Sequence, residues 1–442
     1  MMTLLATAGL QLAAGPAAQA QGAGAVEVVA EGLDTPRGVI YDNRTGQVLV
    51  AEAGTGGPSL QAGGICGLAT GNARYCYGDT GAIFRYSSRN GKARRIIKGL
   101  PSIANYNAAG TTKRSVLGLH DLSRGPRRQL QGVFGLSGTQ NPFRDAQLVG
   151  SGAPRALALG QAVRFIGLSG KYRLLADLAA FEQAVNPHTE NPFGAPIIDS
   201  NPNGMVSGPY GTVVADAAGN DLLRVRPGGG IEPLAVFANR TLPQFNDFSE
   251  SVPTAVAVGP ARAFYVGELT GFPYYKGQAR VWRVVRGRAP AVYAEGFTNI
   301  ADLTFDDRGR LVVLEMAREG LFPLTAGQDT VTGRLVRVEF SGTQTTLATT
   351  GLENPGGVAY AGGNVFYVTN RTTGVGATGQ LLRVTVSDSP AAANVDDMTA
   401  PCPPRGRRHG AGDTPQPCPD RHKAPGGRGA DRASQPCPLD PY

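Results

Sequence analysis

The segment SVPTAVAVGPARAFYVGEL, residues 251–269, contains two short apolar runs that are separated by Gly-Pro and end in a carboxylate. The segment ENPGGVAYAGGNVFYVTN (353–370) repeats this order with an amide at its end. Short runs rich in Val, Tyr and Phe and bounded by Gly and Pro are typical of β-strands. Their recurrence predicts a repeat architecture.

Each unit continues into a strand of the form Leu-x-Arg-Val and then a last strand that ends near Gly-Leu or Gly-Phe. Clear units begin near residues 35, 201, 252, 298 and 354. A weaker unit covers 116–138, is interrupted by a long insertion and resumes near GKYRLLADL, with an Arg-rich start that predicts an irregular blade. Four strands per unit at a spacing of roughly 55–80 residues predict propeller blades.

The last unit lacks its fourth strand, and the N-terminal segment VEVVAEGL (26–33) carries the missing pattern. The sequence therefore predicts an all-β fold, a six-bladed β-propeller with four-stranded blades whose last blade is closed by the N-terminal strand. Such closure removes open sheet edges. Within the second blade, LLADLAAFEQAV (174–185) predicts a short helical insertion that ends at Asn186-Pro187.

The flanking segments differ from the repeats. Residues 1–20 form an apolar stretch that ends in Ala-Gln-Ala, which predicts a signal peptide although no Lys or Arg precedes it. Residues 21–388 contain the predicted propeller. From 389 to 442 the chain is rich in Pro, Gly and Arg, and we expect a disordered tail.

Cys66 and Cys76 flank a Gly-rich, hairpin-like loop, and a disulfide between them is sterically easy in an oxidising compartment. Two free thiols are the alternative, and the spacing does not fit a zinc site. With the signal peptide, the disulfide predicts a secreted or periplasmic protein.

The formal charge is +8. We attribute much of it to Arg residues of the tail and to scattered Arg elsewhere, without a basic stripe interleaved with aromatic residues. We therefore expect no nucleic-acid partner. No apolar run after the N-terminus is long enough for a membrane span, and we expect a monomer.

Propeller topology brings the turn before each first strand and the end of each second strand to one mouth of the channel. The first group is predicted to bind a small molecule or a protein partner, and it contains Arg37, His120, Asp121, Asn203, Thr254 and Asp302. The second group forms a rim whose members either bind or cap the following turn, and it contains Glu52, Asp216, Glu268, Glu315 and Asn370.

Common catalytic motifs are missing from the sequence: it has no G-x-S-x-G, no S-x-x-K and no H-E-x-x-H. Two of its four His residues lie in the tail. A His base in the propeller would be His120 or His188, and we expect His188 to be solvated in a loop of the insertion.

Several phrases together resemble the ScyD/ScyE family of exported bacterial propellers, over about residues 26–386. They are GLDTPRGV, CYGDTGAIFRY, HDL, LLADLAAFE, DSNPNG, VVADAAGNDLLRV, SVPTAVAVG, YVGELTGFP and GFTNIADL. The resemblance implies a propeller related to NHL-repeat and SMP-30/gluconolactonase-like proteins. It implies no settled activity.

Two functions remain open, and the sequence does not decide whether the protein is an enzyme. The first is binding at the mouth around His120 without turnover. The second is an SMP-30-like, metal-dependent hydrolase or lactonase, because SNPNGM is similar to the turn that supplies a metal ligand there, which corresponds to Asn203. Asp302 and Glu52 would add oxygen ligands for Ca²⁺, but Arg37 stands where that family has an acid. We assign no metal ligand and no cofactor.

We predict that deletion of the residues after about 389 leaves the melting temperature of the protein unchanged, because the tail is expected to contribute nothing to the core. Differential scanning calorimetry of the shortened and full chains checks this. A fall of several degrees would show that the tail packs on the propeller.

Overall fold

The structure, a computed structural model, describes residues 24–387 except 69–73, 108, 112, 137–152, 191–196, 209, 326–327, 329 and 374–375. The predicted signal peptide and the predicted tail lie outside the described residues. Both therefore stay predictions.

Within the described residues, six antiparallel sheets follow one another along the chain, and each runs from an inner to an outer strand. Blade 1 contains β2 (Pro36–Asp42), β3 (Gln47–Glu52), β5 (Arg74–Ser87) and β6 (Ala93–Tyr106), and is extended by β4 (Ile65–Leu68) and β7 (Lys113–Leu117). Blade 2 contains β8 (Leu119–Arg124), β9 (Leu130–Phe134), β10 (Gln161–Phe165) and β11 (Tyr172–Asp177). Blade 3 contains β12 (Pro202–Gly208), β13 (Gly211–Asp216), β14 (Asp221–Val225) and β15 (Ile231–Val236).

The second half of the ring repeats this pattern. A small hairpin of β16 (Arg240–Leu242) and β17 (Asp247–Ser249) precedes it. Blade 4 contains β18 (Pro253–Val258), β19 (Phe264–Glu268), β20 (Ala279–Val284) and β21 (Ala291–Phe297). Blade 5 contains β22 (Ile300–Phe305), β23 (Leu311–Glu315), β24 (Arg334–Val338) and β25 (Gln344–Ala348). Blade 6 contains β26 (Gly357–Gly362), β27 (Val365–Asn370), β28 (Gly379–Thr385) and β1 (Ala25–Leu33).

The N-terminal strand closes the ring, as the sequence predicts. Strand β1 pairs antiparallel with β28, with Val28 opposite Leu382 and Leu33 opposite Gly379. The inner strands contact one another in order around the channel, and β26 meets β2 to complete the circle. The six-bladed propeller is thus confirmed.

The burial of the strands explains their composition. Second strands such as β13 and β23 are almost wholly buried, because each blade is covered by a neighbour on both faces. Their sequences, GTVVAD and LVVLE, are therefore continuous apolar runs rather than alternating ones. The outer strand β21 is mostly exposed, and it admits Glu295 among its apolar residues.

The hydrophobic core is divided among the interfaces between blades. One cluster joins Val213 and Phe237 of blade 3 to Phe264 of blade 4. Another joins Leu33 and Val39 to Tyr367, across the junction of blades 6 and 1. Clusters of the same kind fill the other four interfaces. Each blade is therefore stabilised mainly by burial of apolar surface against its two neighbours.

Blade 2 corrects the prediction in two respects. Val116 and Leu117, expected to begin its first strand, instead belong to β7 and pair with β6 of blade 1. The Arg-rich segment expected to be irregular forms an ordinary hairpin between β8 and β9. Its Gly125-Pro126 turn places Arg127 in the left-handed region at φ 54°, and blade 4 uses the same turn at Ala261, with φ 55°.

Helix α1 (Leu178–Val185) lies in the predicted insertion of blade 2. Asp177 caps it by accepting a hydrogen bond from the backbone N–H of Ala180 at 2.9 Å. Asn186 ends it in the left-handed conformation, at φ 41°. Residues 174–177 belong to β11, where the blade is expected to resume near GKYRLLADL. A further short helix, α2 (Phe322–Thr325), precedes β24.

The extension of blade 1 is cross-linked by a disulfide bond. Cys66 of β4 and Cys76 of β5 are opposite each other in the ladder and are bonded, as predicted. Cys76 packs with Ala104, Tyr106 and Val116 in a small cluster of its own. The disulfide thus ties β4 to the long hairpin of β5 and β6.

Among the described residues, no helix is long and apolar enough to cross a bilayer.

We predict that removal of residues Ala25–Leu33 strongly destabilises the protein and causes aggregation. The deletion exposes the backbone of β28 and the buried face around Leu33. Chemical denaturation and size-exclusion chromatography of the truncated chain measure both effects. A truncated protein that stays monomeric and equally stable would contradict this role of β1.

Candidate functional site

A cavity of about 370 Å³ opens at one mouth of the channel. It is lined by all six residues predicted from the turns before the first strands: Arg37, His120, Asp121, Asn203, Thr254 and Asp302. Its further lining includes Ser115, Leu117, Asn201, Leu269, Tyr274, Ala301, Met316 and Thr373. The volume lies within the range of small-molecule sites in proteins.

A β-bulge sets the direction of these side chains. In blades 1 to 5 the pairing of the inner strand with the next shifts register near the first residues of the inner strand, as between Leu119 and Asp121 or between Pro202 and Gly204. The residue inside the bulge, here His120 or Asn203, has no partner in the ladder. Bulges re-aim side chains and are common near binding sites.

Asp121 and Asp302 join neighbouring blades. Asp121 accepts hydrogen bonds from the N–H groups of Leu122, at 2.7 Å, and of Met205 in blade 3, at 2.8 Å. Asp302 accepts from Leu303 and from Val358 in blade 6, both at 2.8 Å. Each carboxyl group therefore uses both of its oxygens to bind backbone.

The pKa values of this carboxyl pair are raised. Burial raises the pKa of Asp302 to about 7. Burial, with the charge of Asp302, raises the pKa of Asp121 well above its ordinary value. The negative charge at the mouth is therefore smaller than two carboxylates would give. Thr254 is also engaged, since its hydroxyl donates to the carbonyl of Ile300 at 2.7 Å.

His120 has one nitrogen bound and one free. Nδ1 lies 3.2 Å from the carbonyl oxygen of Pro202 and therefore carries the proton that it donates. Nε2 is buried and finds no hydrogen-bond partner among the described residues. Burial, with the nearby Arg37 guanidinium, lowers the pKa of His120 to about 3. The ring is thus neutral and presents a lone pair on Nε2.

Arg37 brings a cation to the same cavity. Its guanidinium donates to the carbonyl of Val116 at 2.8 Å, whereas Nε is buried without a partner. In the described part of the chain, no carboxylate lies within ion-pair distance of Arg37. Burial lowers its pKa to about 10, so the group stays charged at neutral pH.

The walls of the cavity come from segments outside the predicted turns and strand ends. Ser115 and Leu117 belong to β7, and Leu269, Tyr274 and Met316 follow the second strands of blades 4 and 5. Loops from second to third strands open at the same mouth as the turns, so the propeller topology indicates that they contribute walls.

Of the five rim residues, Asp216 caps the turn that follows it, and the other four bind groups elsewhere in the fold. Each is at most 1% exposed. Asp216 binds the hydroxyl of Ser200 and the N–H groups of Asn201 and Gly219. The other four bind the segment before the first strand of their own blade: Glu52, Glu315 and Asn370 accept the N–H groups of Asp34, Thr298 and Glu353, and Glu268 accepts the hydroxyl of Ser251. Glu52, Glu268 and Glu315 also pair with Arg95, Arg280 and Arg334. None of the five belongs to the described lining of the cavity.

A buried acidic pair lies behind the rim of blade 3. Glu182 of α1 and Asp221 of β14 are fully buried and lie within hydrogen-bond reach of each other. Burial and the nearby charge of Asp216 raise the pKa of Glu182 to about 8. Burial and the charges of Glu182 and Asp216 raise the pKa of Asp221 well above its ordinary value. The pair therefore holds a proton at neutral pH.

The three oxygen ligands expected for Ca²⁺, from Asn203, Asp302 and Glu52, do not come together at the mouth. The carboxyl oxygens of Asp121 and Asp302 already accept backbone N–H groups, Glu52 lies outside the cavity, and the Arg37 guanidinium occupies the cavity with them. In the described residues there is no cluster of three or more His, Cys, Asp or Glu side chains suited to a metal ion.

His188 differs from the expectation of a solvated side chain. It is 7% exposed, and burial lowers its pKa. It lies outside the described lining of the cavity, so His120 is the His of the mouth.

No protein-family model and no curated protein matches the sequence. Similar solved structures include a gluconolactonase from Xanthomonas campestris, at 9% identity over 82% of this chain and 90% of that chain, with a TM-score of 0.47. A structural-genomics protein of unknown function from Bacteroides thetaiotaomicron is 8% identical over 83% and 76% of the chains, with a TM-score of 0.46. Virginiamycin B lyase from Staphylococcus aureus is 11% identical over 82% and 100%, with a TM-score of 0.41. Likenesses this weak carry no conclusion about activity, and the architecture rests on the strand pairing itself.

We predict that the free energy of unfolding falls as the pH rises from about 6.5 to about 8, above the range in which the histidines of the unfolded chain take up protons. The folded protein keeps a proton on the Glu182–Asp221 pair that the unfolded chain releases near pH 4.5, so the unfolded state gains relative stability through this window. Asp302 acts in the same direction. Denaturant unfolding at several pH values measures the slope.

The variant Glu182→Gln separates the pH effect of the Glu182–Asp221 pair from that of the mouth residue Asp302. We expect this variant to be more stable than the wild type by about 1–2 kcal/mol at pH 8, because it removes one ionisable group from the buried site. Glu295→Gln on the exposed strand β21 is the control and keeps the wild-type profile. Parallel pH profiles of wild type and Glu182→Gln would contradict the prediction.

Proposed function

We propose that this protein is a ligand-binding propeller that binds a small, partly apolar molecule at the channel mouth and does not turn it over. The ligand carries an oxyanion, such as a carboxylate, and a hydroxyl or N–H group near it. One observation carries the proposal: His120 and Arg37 both present buried, unpartnered polar atoms in one cavity.

The two unpartnered atoms are complementary in chemistry. Arg37 Nε is a donor on a buried cation, and an anionic acceptor would satisfy both its N–H and its charge. His120 Nε2 is an acceptor and needs a donor. Leaving such groups buried and unsatisfied costs about 1–3 kcal/mol each. A bound ligand that satisfies them recovers this cost.

The rest of the lining supports a ligand of mixed character. The amide of Asn203 forms no hydrogen bond with any described residue, and it is available to orient the ligand. Leu117, Leu269 and Met316 add apolar surface, with the ring of Tyr274 beside them. A few convergent polar groups in an apolar wall are the usual composition of a small-molecule site.

The state of His120 favours binding over hydrolysis. A general base works best with a pKa near the operating pH. Burial and the Arg37 charge lower the pKa of His120 to about 3, which makes Nε2 a weak base and a good neutral acceptor. The metal-dependent alternative has no supporting ligand set at the mouth, as described above.

The biological setting that we propose is export. The disulfide between Cys66 and Cys76 is typical of an oxidising compartment, and the sequence phrases that resemble the ScyD/ScyE family belong to exported propellers. This family assignment rests on those phrases alone.

We predict that small hydroxycarboxylates raise the melting temperature and that their uncharged amide counterparts do not. A screen by differential scanning fluorimetry, with lactate against lactamide and 4-hydroxybenzoate against 4-hydroxybenzamide as probes, followed by titration calorimetry of any hit, makes this test. Arg37→Met should weaken a hit at least tenfold, since a charged hydrogen bond contributes about 1.5–3 kcal/mol.

His120→Asn separates binding from folding. The Asn amide can replace Nδ1 as donor to Pro202 but has no atom at the place of Nε2. We expect unchanged stability and an affinity reduced about tenfold. His188→Asn, at the buried His outside the cavity, is the matched control and should bind normally. If the His120→Asn variant binds the ligand with normal affinity but is less stable than the wild type, the role of His120 is structural.

A further inference from the structure

The positive charge of the chain is concentrated in one segment, which corrects the expectation that it comes largely from the tail. Residues 82–176 contain 16 Lys and Arg against two Asp. The tail, residues 389–442, contains seven Lys and Arg against six Asp. The described residues of this segment contribute to the outer half of blade 1 and to the strands of blade 2.

A hairpin tip projects aliphatic side chains from the middle of this charge. The turn from β10 to β11 exposes Ile166 to 44% and Leu168 to 56%. Arg164 precedes the tip, and Lys171 and Arg173 follow it. Turns from third to fourth strands lie on the face opposite the mouth, so this feature is separate from the ligand cavity.

Two clefts beside the tip are lined with cations. One cleft of about 520 Å³ lies against blade 1 and is lined by Arg85, Arg124, Arg164 and Arg173, together with Ile166 and Leu168. The other, of about 530 Å³, is lined by Lys98, Arg155, Lys171 and Arg173, again with Ile166. The aliphatic side chains of the tip are therefore surrounded by cationic side chains.

Only part of this charge is neutralised by carboxylates among the described residues. Arg95 pairs with Asp34 at 3.0 Å and with Glu52 at 2.7 Å. Asp42 pairs with Arg128 at 2.6 Å and lies 3.9 Å from Arg124. Asp79 lies 3.8 Å from Arg155. For Arg85, Arg164, Lys171 and Arg173, the described portion of the chain provides no carboxylate within 4 Å. An external anionic partner would complete the pairing.

We propose that this hairpin docks the protein on a bilayer that contains anionic lipid. Ile166 and Leu168 enter the interfacial region, while Arg164, Lys171 and Arg173 meet the headgroups. The combination of apolar insertion and cationic flanks is what interfacial binding requires. A soluble polyanion would use the cations but gain nothing from two exposed aliphatic side chains.

The opposite blade provides a matched comparison. The corresponding turn of blade 5, from β24 to β25, exposes Phe340 to 74%. Glu339 stands beside it, and the carboxylate of Glu339 binds Arg337 and Arg310. Blade 5 thus has an exposed apolar residue in the same kind of turn, but the neighbouring Arg side chains are paired with a carboxylate.

The test is co-sedimentation of the full chain with vesicles of phosphatidylcholine and phosphatidylglycerol, against vesicles of phosphatidylcholine alone. We expect binding to the mixed vesicles only, weakened by added salt. The double variant Ile166→Ser, Leu168→Ser should lower the partition coefficient about tenfold. The triple variant Arg164→Gln, Lys171→Gln, Arg173→Gln should lower it more than tenfold.

Phe340→Ser is the control and should bind as the wild type does, and melting temperatures confirm that each variant is folded. Binding to a dextran sulfate column without partition into vesicles would assign the surface to a soluble polyanion and overturn the proposal. Equal binding of the wild type and the Ile166→Ser, Leu168→Ser variant to mixed vesicles would overturn it as well.

Discussion

The six innermost strands are all sheet edges, and the backbone groups on their open side need partners because unpaired buried groups are costly. Side chains of adjacent blades supply these partners. Asp121 and Asp302 each accept an N–H from the next blade, and Thr254 donates to a carbonyl of the next blade. The hydroxyl of Thr369 donates to the carbonyl of Arg37 at 2.6 Å, across the junction of blades 6 and 1. These bonds hold the ring at its narrowest radius.

Because the inner strands of neighbouring blades approach closely, some positions on these strands have no room for a side chain. A Cβ atom on Gly38 would lie 2.0 Å from Oδ1 of Asp121, and one on Gly357 would lie 2.7 Å from the carbonyl oxygen of Arg37. Asp121 and Asp302 remain paired in their ladders and bind the next blade, whereas a bulge turns other side chains toward the mouth. Arg37, His120 and Asn203 are placed in this way. The polar residues of the mouth divide accordingly into those that join blades and those that remain free for a ligand.

The sequence predicted most of the architecture because each blade repeats its own turn chemistry and burial pattern. The closing strand β1 could be identified because its pattern, VEVVAEGL, completes a unit that ends early at β28. The start of blade 2 was misplaced because β7 has a strand-like pattern, and only its pairing with β6 shows that it belongs to blade 1. The Gly-Pro turn shared by Arg127 and Ala261 shows that the Arg-rich hairpin could have been identified by comparison with blade 4.

The candidate site was predictable to a smaller extent. Topology alone brought Arg37, His120 and Asp302 to one mouth, and the structure places them around one cavity. The sequence could not show that both Asp carboxyls are occupied by backbone N–H groups, since that depends on the distance between blades. It also could not show the walls, because Tyr274 and Ser115 come from loops and extensions that lie outside the repeat.

Because β1 pairs with β28, the ring cannot close until almost the whole propeller has been synthesised. The side chains of Glu31 and Gln380 bond across 349 residues of sequence, so β1 must wait for nearly the whole propeller before its partner exists. At ordinary translation rates of about 5–20 residues per second, that wait lasts roughly 20–70 s. An unpaired strand could join a strand of another molecule meanwhile. The exposed carboxylates of Glu27 and Glu31 oppose such pairing, and thereby protect the nascent chain until the ring can close.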